Sequence, residues 1–221
     1  MREWLQFRKA TIELIQSRDG VMKEPIDWIF EIRRVQRYGF TKNDLVEIGK
    51  PAIHGGQIGR KYKTYTDKTI SKLGSALYEQ VKQRIYHNEI FISSEDFELW
   101  QVGKSLLYTG EEPVALSGAG FVLRLMDGLE DMIDLQYASL YFHYSKEYEK
   151  AIQAITNGDR VKGMLLEKFR NINFVYPSME QQKRIVKNVL LEKKNTKELE
   201  TLQELAKKRE RFFKNILFEK L

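Results

Sequence analysis

The sequence contains no cysteine. A disulfide scaffold, a thiolate-ligated zinc and thiol catalysis are thereby excluded together. Proline is scarce, at Pro25, Pro51, Pro113 and Pro177 only, and none of the 14 glycines lies beyond Gly163. No stretch approaches ~18 uninterrupted apolar residues, so no membrane-spanning helix is expected. The opening run MREWLQFRKATIELIQ carries charges inside its apolar pattern, which argues against a secretory signal and for a cytoplasmic protein. Charge of one sign is in modest excess, 37 Lys and Arg against 31 Asp and Glu, a formal net charge of +6. Apolar residues, by contrast, make up 42% of the 221 positions and aromatics 12%. That is enough for a packed core and speaks against disorder over most of the chain. The length suits one large domain, or one domain with an extension.

The missing helix breakers divide the chain. Ser178 to Leu221 holds neither Gly nor Pro and is rich in Leu, Glu, Lys, Gln and Arg. It predicts one continuous helix of about 66 Å at ~1.5 Å per residue, with Ser178 as N-cap and Glu180 in the first turn. This tail carries 12 Lys and Arg against 7 Asp and Glu, whereas the preceding residues carry 25 against 24. Its apolar residues fall in two groups, Ile185, Val186, Val189 and Leu190, then Leu199, Leu202, Ala206, Phe213 and Ile216, around the polar run EKKNTKE. Two apolar ends about a polar waist predict a coiled coil, parallel or antiparallel, through Ile185, Val189, Leu199, Leu202, Phe213 and Ile216. The alternative is a helix lying across its own globular part, since a lone helix this long needs a partner.

The part before the tail reads as α+β. Strands are predicted at Ile29–Val35, Glu89–Ser93, Lys104–Tyr108, Phe121–Met126 and Asn171–Tyr176, each bounded by turn residues. Helices are predicted at Trp4–Gln16, Lys42–Ile48, Ile70–Ile85, Leu135–Ile155 and Met164–Arg170. Strands scattered among unequal helices fit an irregular α+β domain better than a βαβ series. The expected organisation is an N-terminal helix and lead-in over 1–25, a domain over 26–177 and the long helix over 178–221.

Catalytic signatures fail one by one. Gly103-Lys104-Ser105 invites a phosphate-loop reading, but the motif needs a glycine where Glu98 stands. Without it the anion nest cannot form, and the tripeptide is read as leading into a strand. His54, His87 and His143 are far apart in sequence, and only His143 has an acid one turn on, Glu147, so no metal site is read from them. Glu130, Asp131 and Asp134 flank a helix start, where acids suit the dipole. With no Gly-rich dinucleotide loop and no Asn-Pro-Pro run, neither an activity nor a cofactor is expected of the chain itself.

The most informative segment is His54–Lys72, HGGQIGRKYKTYTDKTISK. Gly55, Gly56 and Gly59 loosen the backbone, then basic residues alternate with tyrosines. That mixture supplies phosphate partners and planar groups that stack or hydrogen-bond, as a loop approaching a DNA groove needs. Arg60, Lys61, Tyr62, Lys63, Tyr65 and Lys68 are the DNA-binding candidates, joined by Lys104 and Ser117. The alternative is a solvated hairpin. Leu116–Gly120 is read as a tight turn, with close approach to a ligand backbone as its alternative.

From Asn88 onward the order of features is familiar: Glu89–Ser93 as a strand, then Gly118-Ala119-Gly120-Phe121-Val122-Leu123-Arg124-Leu125, then Leu135–Phe142 with its aromatic spacing. Asn157-Gly158-Asp159-Arg160 leads to Met164–Phe169 and Ile172–Pro177, with Glu180, Gln182 and Ile185 opening the long helix. Upstream, Trp28, Gly39-Phe40-Thr41-Lys42 and Gly49–Ile58 agree more loosely. This succession resembles the specificity subunit of type I restriction-modification systems, the HsdS family, over about 26–221 and most closely over 118–190. The chain departs from it at Asn88-Glu89, where Gly-Asp is usual, and at Ser178, where a second proline is common; Ile70–Ile85 looks like an inserted helix.

The resemblance implies a target-recognition domain and one helix of an antiparallel pair, as in half of such a subunit. It implies a non-catalytic protein recognising double-stranded DNA at a bipartite site. Partners follow: methyltransferase (modification) subunits, which would carry S-adenosylmethionine, the restriction motor subunit as a further possible member, and a second copy of the chain forming a homodimer through the helix. A coiled-coil scaffold or adaptor binding proteins is the rival reading.

Overall fold

The computed structural model describes residues 20–36, 39–62, 64–69 and 71–191. Two compact units are present, Met1–Gln182 and Lys183–Leu221. Among the described residues the first runs through β1 (Val21–Pro25), the helical turn α1 (Ile26–Ile29), β2 (Phe30–Val35), β3 (Leu45–Val46), β4 (Lys50–His54), β5 (Tyr65–Thr66) and β6 (Ser71–Leu73). There follow α2 (Ser75–Gln80), β7 (Arg84–Ile85), β8 (Glu89–Ser93), β9 (Glu95–Asp96), β10 (Ser105–Tyr108), β11 (Val114–Ser117) and β12 (Gly120–Leu125). Last come α3 (Leu135–Tyr144), α4 (Lys146–Ile155), β13 (Thr156–Asn157), β14 (Lys162–Met164), α5 (Leu166–Arg170) and β15 (Asn173–Pro177). The α+β class expected from the sequence is what this unit shows.

Two five-stranded sheets dominate. The first has the order β2-β12-β8-β10-β5, antiparallel except for the β10–β5 pair. The second has the order β3-β6-β4-β11-β7, with β4 and β11 parallel. All five residues of β8, EIFIS, are buried, as the central strand of a covered sheet requires. Alternation along the strands then sorts the side chains. Phe91, Leu106, Tyr108 and Val122 from the first sheet meet Ile53, Ile85, Val114 and Leu116 from the second in one apolar layer.

The opposite faces build two further layers. Ala52, Leu73, Val81 and Ala115 pack with Leu77 and Tyr78 of α2. On the other side α3 covers the first sheet, where the Ser105 hydroxyl donates to the Ser139 carbonyl at 2.8 Å. Here the aromatic spacing of α3 has its explanation: Tyr141 and Phe142 lie 4.9 and 5.3 Å from the Phe174 ring of β15. Burial pushes the Tyr141 phenol up to about 12, which leaves it a neutral hydrogen-bond donor to the Asn173 carbonyl.

Several expected elements differ. Val21–Pro25, at the end of the expected lead-in, is a strand paired with β15. The helix expected at Lys42–Ile48 is a single 3-10 turn, Lys42–Asp44, followed by β3. Ile70–Ile85 is not an inserted helix: β6, α2 and β7 replace it, with Gly74 before α2 and both strands paired into the second sheet. Leu135–Ile155 is interrupted at Ser145, whose backbone is extended and whose hydroxyl accepts the Tyr148 N–H to start α4. Trp4–Gln16 lies outside the described residues.

Residues 179–191 are helical. The first turn is held by Gln182, fully buried, which accepts the Asp134 N–H at 2.9 Å and donates to the Met132 and Pro177 carbonyls at 2.7 and 2.8 Å. Asp134 in turn caps α3 through the Gln136 and Tyr137 N–H groups.

Candidate nucleic-acid interface

Because β4 and β11 are parallel, with Ser117 opposite His54, both deliver their C-terminal ends to one edge of the sandwich. The two glycine-rich segments singled out in the sequence follow these strands and pack on one another. A Cβ on Gly118, at φ +104°, would stand 2.9 Å from the Gly55 nitrogen, so the contact needs glycine. A third segment joins them: Ser117 Oγ accepts the Phe40 N–H at 3.0 Å and donates to the Phe40 carbonyl at 2.6 Å. Just beyond, Lys42 brings its Cε to 3.6 Å from where a Gly56 Cβ would be.

The loop after β4 is shaped by two side chains. His54 Nδ1 accepts the Gly56 N–H at 3.1 Å, which assigns the proton of the neutral ring to Nε2. Burial, and then the Lys42 ammonium, hold the His54 imidazole below its ordinary value. Gln57 is buried and trades hydrogen bonds with the Ser71 hydroxyl, at 2.7 and 3.1 Å. Its backbone carbonyl accepts from three successive N–H groups, Arg60, Lys61 and Tyr62, at 3.2, 2.8 and 3.1 Å. One carbonyl gathering three donors reverses the chain, sending Lys61 outward and Tyr62 inward.

The candidates therefore separate. Arg60, Lys61, Tyr65 and Lys68 are exposed, with Tyr65 on β5, the edge strand of the first sheet. Arg60 is engaged, donating from Nη2 to Asp96 Oδ1 at 2.9 Å. Tyr62 is corrected: at 4% exposure it belongs to the apolar layer between the sheets and has no face to offer a groove. Ser117 is corrected too, being fully buried with its hydroxyl spent on Phe40. Lys104 donates from Nζ to the His143 carbonyl at 2.9 Å, closing the last turn of α3, and burial pulls its ammonium below the ordinary value. It is a helix-terminus partner rather than part of the loop's open surface. Ile185 and Val189 stand in the helical residues 183–191. Lys63, Leu199, Leu202, Phe213 and Ile216 lie outside the described residues.

Lys42 was not legible as part of this edge, because only the β4–β11 pairing brings residues 40, 54 and 117 together. A run of exposed apolar residues, Phe97 at 64% and Trp100 at 52%, stands between β9 and β10 on the turn that holds Asp96. A cleft elsewhere is lined by Glu89, Glu111, Asp127 and Glu130 with His87 and Arg124. Its charge is the wrong sign for a phosphate backbone. Among the described residues no group of three or more His, Asp or Glu side chains is placed to hold a metal ion, and no helix is long and apolar enough to cross a membrane.

No family model matches the sequence, and no curated protein matches it significantly. Solved structures do match the fold. The chain is similar to the S subunit of a type I restriction-modification system from M. genitalium, at 16% identity and TM-score 0.54, covering 85% of this chain and 43% of that one. It is similar to the HsdS subunit of Thermoanaerobacter tengcongensis, at 15% identity and TM-score 0.54, covering 91% and 49%. A chain from a structure addressing complex assembly and conformational transition of the type I R-M system matches at 14% identity and TM-score 0.57, covering 93% and 50%. The chain thus spans about half the length of the proteins it resembles.

Proposed function

We propose that this chain is a sequence-recognition module for double-stranded DNA in a type I restriction-modification system, with no chemistry of its own. The observation that carries the reading is the edge formed by segments 39–42, 55–62 and 117–119. Buried glycine contacts hold the backbone there while Lys42, Arg60 and Lys61 stay exposed beside it. An open cationic edge with nearby backbone suits phosphate positioning together with base readout. Support comes also from the fold shared with S subunits.

In this reading the domain over 26–177 recognises one half-site. The helix from 178 onward pairs with a second copy as an antiparallel coiled coil and sets the distance between half-sites. Methyltransferase subunits, carrying S-adenosylmethionine, dock on the assembly, and the restriction subunit joins it in the cytoplasm.

Salt-titrated binding of a random duplex tests the proposal. Phosphate contacts release counterions, so six of them predict an affinity loss of roughly 10³-fold or more between about 50 and 200 mM salt. Lys61→Ala with Lys68→Ala should flatten the log–log slope by about two units, one per lost contact. A protein-binding adaptor would show no such DNA signal, and an unchanged slope would move the binding surface elsewhere.

A further inference from the structure

Gln101 is 2% exposed, and neither its Oε1 nor its Nε2 has a hydrogen-bond partner among the described residues. A desolvated carboxamide in this state is unfavourable. The basic loop lies directly against it: a Cβ on Gly59, at φ +75°, would meet Gln101 Oε1 at 2.6 Å. Only glycine lets the backbone close down so far over the amide.

Buried Gln57, Ile58 and Tyr62 anchor the two ends of this loop, and its tip, residues 59–61, is fastened by Arg60. Arg60 Nη2 donates to Asp96 Oδ1 at 2.9 Å, and Nη1 reaches back to the Gly56 carbonyl at 3.3 Å. The Asp96 side chain is 9% exposed and also accepts the Glu98 N–H at 3.1 Å, whereas Arg60 is 39% exposed. The acid end is thus fixed at the end of β9, five residues before Gln101, and the cationic end is open to solution beside Lys61.

We propose that the 59–61 tip of this loop is a latched cover and that Gln101 beneath it is a base-reading residue, uncovered when a DNA phosphate takes Arg60 from Asp96. This rests on the DNA-reading function proposed above. A guanidinium fork matches carboxylate and phosphate alike, so phosphate is a direct competitor for the latch. The uncovered carboxamide presents a donor and an acceptor together, the pattern that fits the N6 and N7 edge of adenine in the major groove. Phosphates are present at every sequence and open the cover anywhere; adenine in register is what satisfies the amide.

Asp96→Asn and Gln101→Met, made in the full chain, test the two halves separately. Without DNA, hydrogen exchange of the Gly59, Arg60 and Lys61 amides should be about tenfold faster in Asp96→Asn, equivalent to about 1.4 kcal/mol of lost protection; unchanged exchange overturns the latch. Gln101→Met should raise Tm, because a similar volume is filled without an unpaired amide; a lower Tm means the amide has a partner and overturns the premise. In selection from a randomised duplex library, Gln101→Met should lose one adenine position from the enriched motif while keeping the salt slope of the wild type. An unchanged motif overturns base reading. If the wild type binds no duplex, the proposed function fails, while exchange and melting still decide whether the loop is latched.

Discussion

Neighbouring residues in the basic loop do opposite jobs, and stability measurements should separate them. Tyr62 fills the layer between the sheets, so Tyr62→Ala should cost about 3–5 kcal/mol in urea denaturation. Lys61, one residue earlier and exposed, should cost within about 0.5 kcal/mol when replaced by Ala, yet weaken DNA binding. His54 adds a pH dependence. Its pKa is lowered in the folded protein, so the unfolded chain takes up that proton more readily. Its contribution to stability is therefore whole above the unfolded value of about 6.5 and is lost as the pH falls below it. Protonation also places a hydrogen on Nδ1, where the Gly56 N–H now donates. Between about pH 7.5 and 5.5 the Tm of the wild type should fall more than that of His54→Asn, whose shorter side chain keeps an acceptor and has no titration. Equal slopes would place the pH response elsewhere.

At the scale of elements, the segments legible in the sequence were those with strong apolar runs and clear borders. Glu89–Ser93 and most of the strands at Phe30–Val35, Ser105–Tyr108, Gly120–Leu125 and Asn173–Pro177 belong to this group. Lys50–His54 and Val114–Ser117 escaped notice because the first contains Pro51 and the second runs into the glycine-rich turn read at Leu116–Gly120, yet their parallel pairing creates the candidate edge. The inward turn of Tyr62 was equally hidden. Alternating Lys and Tyr look alike on a solvated hairpin and on a loop, and the three bonds to one Gln57 carbonyl are a property of the folded backbone. The break at Ser145 follows the same logic, since its hydroxyl caps α4 and competes with helix continuation. Gln182 is the corresponding polar joint between β15, α3 and the first turn of the 179–191 helix. Gln182→Leu strands the Asp134 N–H and the Met132 carbonyl, and should cost on the order of 3 kcal/mol by the same denaturation assay. A cost near zero would mean that solvent reaches this joint.

For the whole molecule the decisive variable is symmetry. If the proposed homodimer forms, two identical recognition domains related by a two-fold axis require a target of two inverted half-sites around an unspecified spacer. The proposed pairing of the tail helices is tested by Leu202→Glu and Ile216→Glu, each placing a carboxylate in an apolar seam where an unpaired charge is costly. Both variants should keep a folded domain and shift to monomer in light scattering; an unchanged oligomer would put the seam on another face of the helix. If the helices act as a ruler, deleting the seven residues Glu192–Glu198 shortens each by about 10 Å. That is close to three base-pair steps of about 3.4 Å, and the deletion preserves the heptad register of the flanking apolar groups. The methylated motif of a host expressing the complete system should then keep both half-sites and lose about three base pairs of spacer. An asymmetric bipartite motif would show that the chain pairs with a different partner. A continuous motif without a spacer would remove the ruler altogether, because no separation would be left for the helices to set.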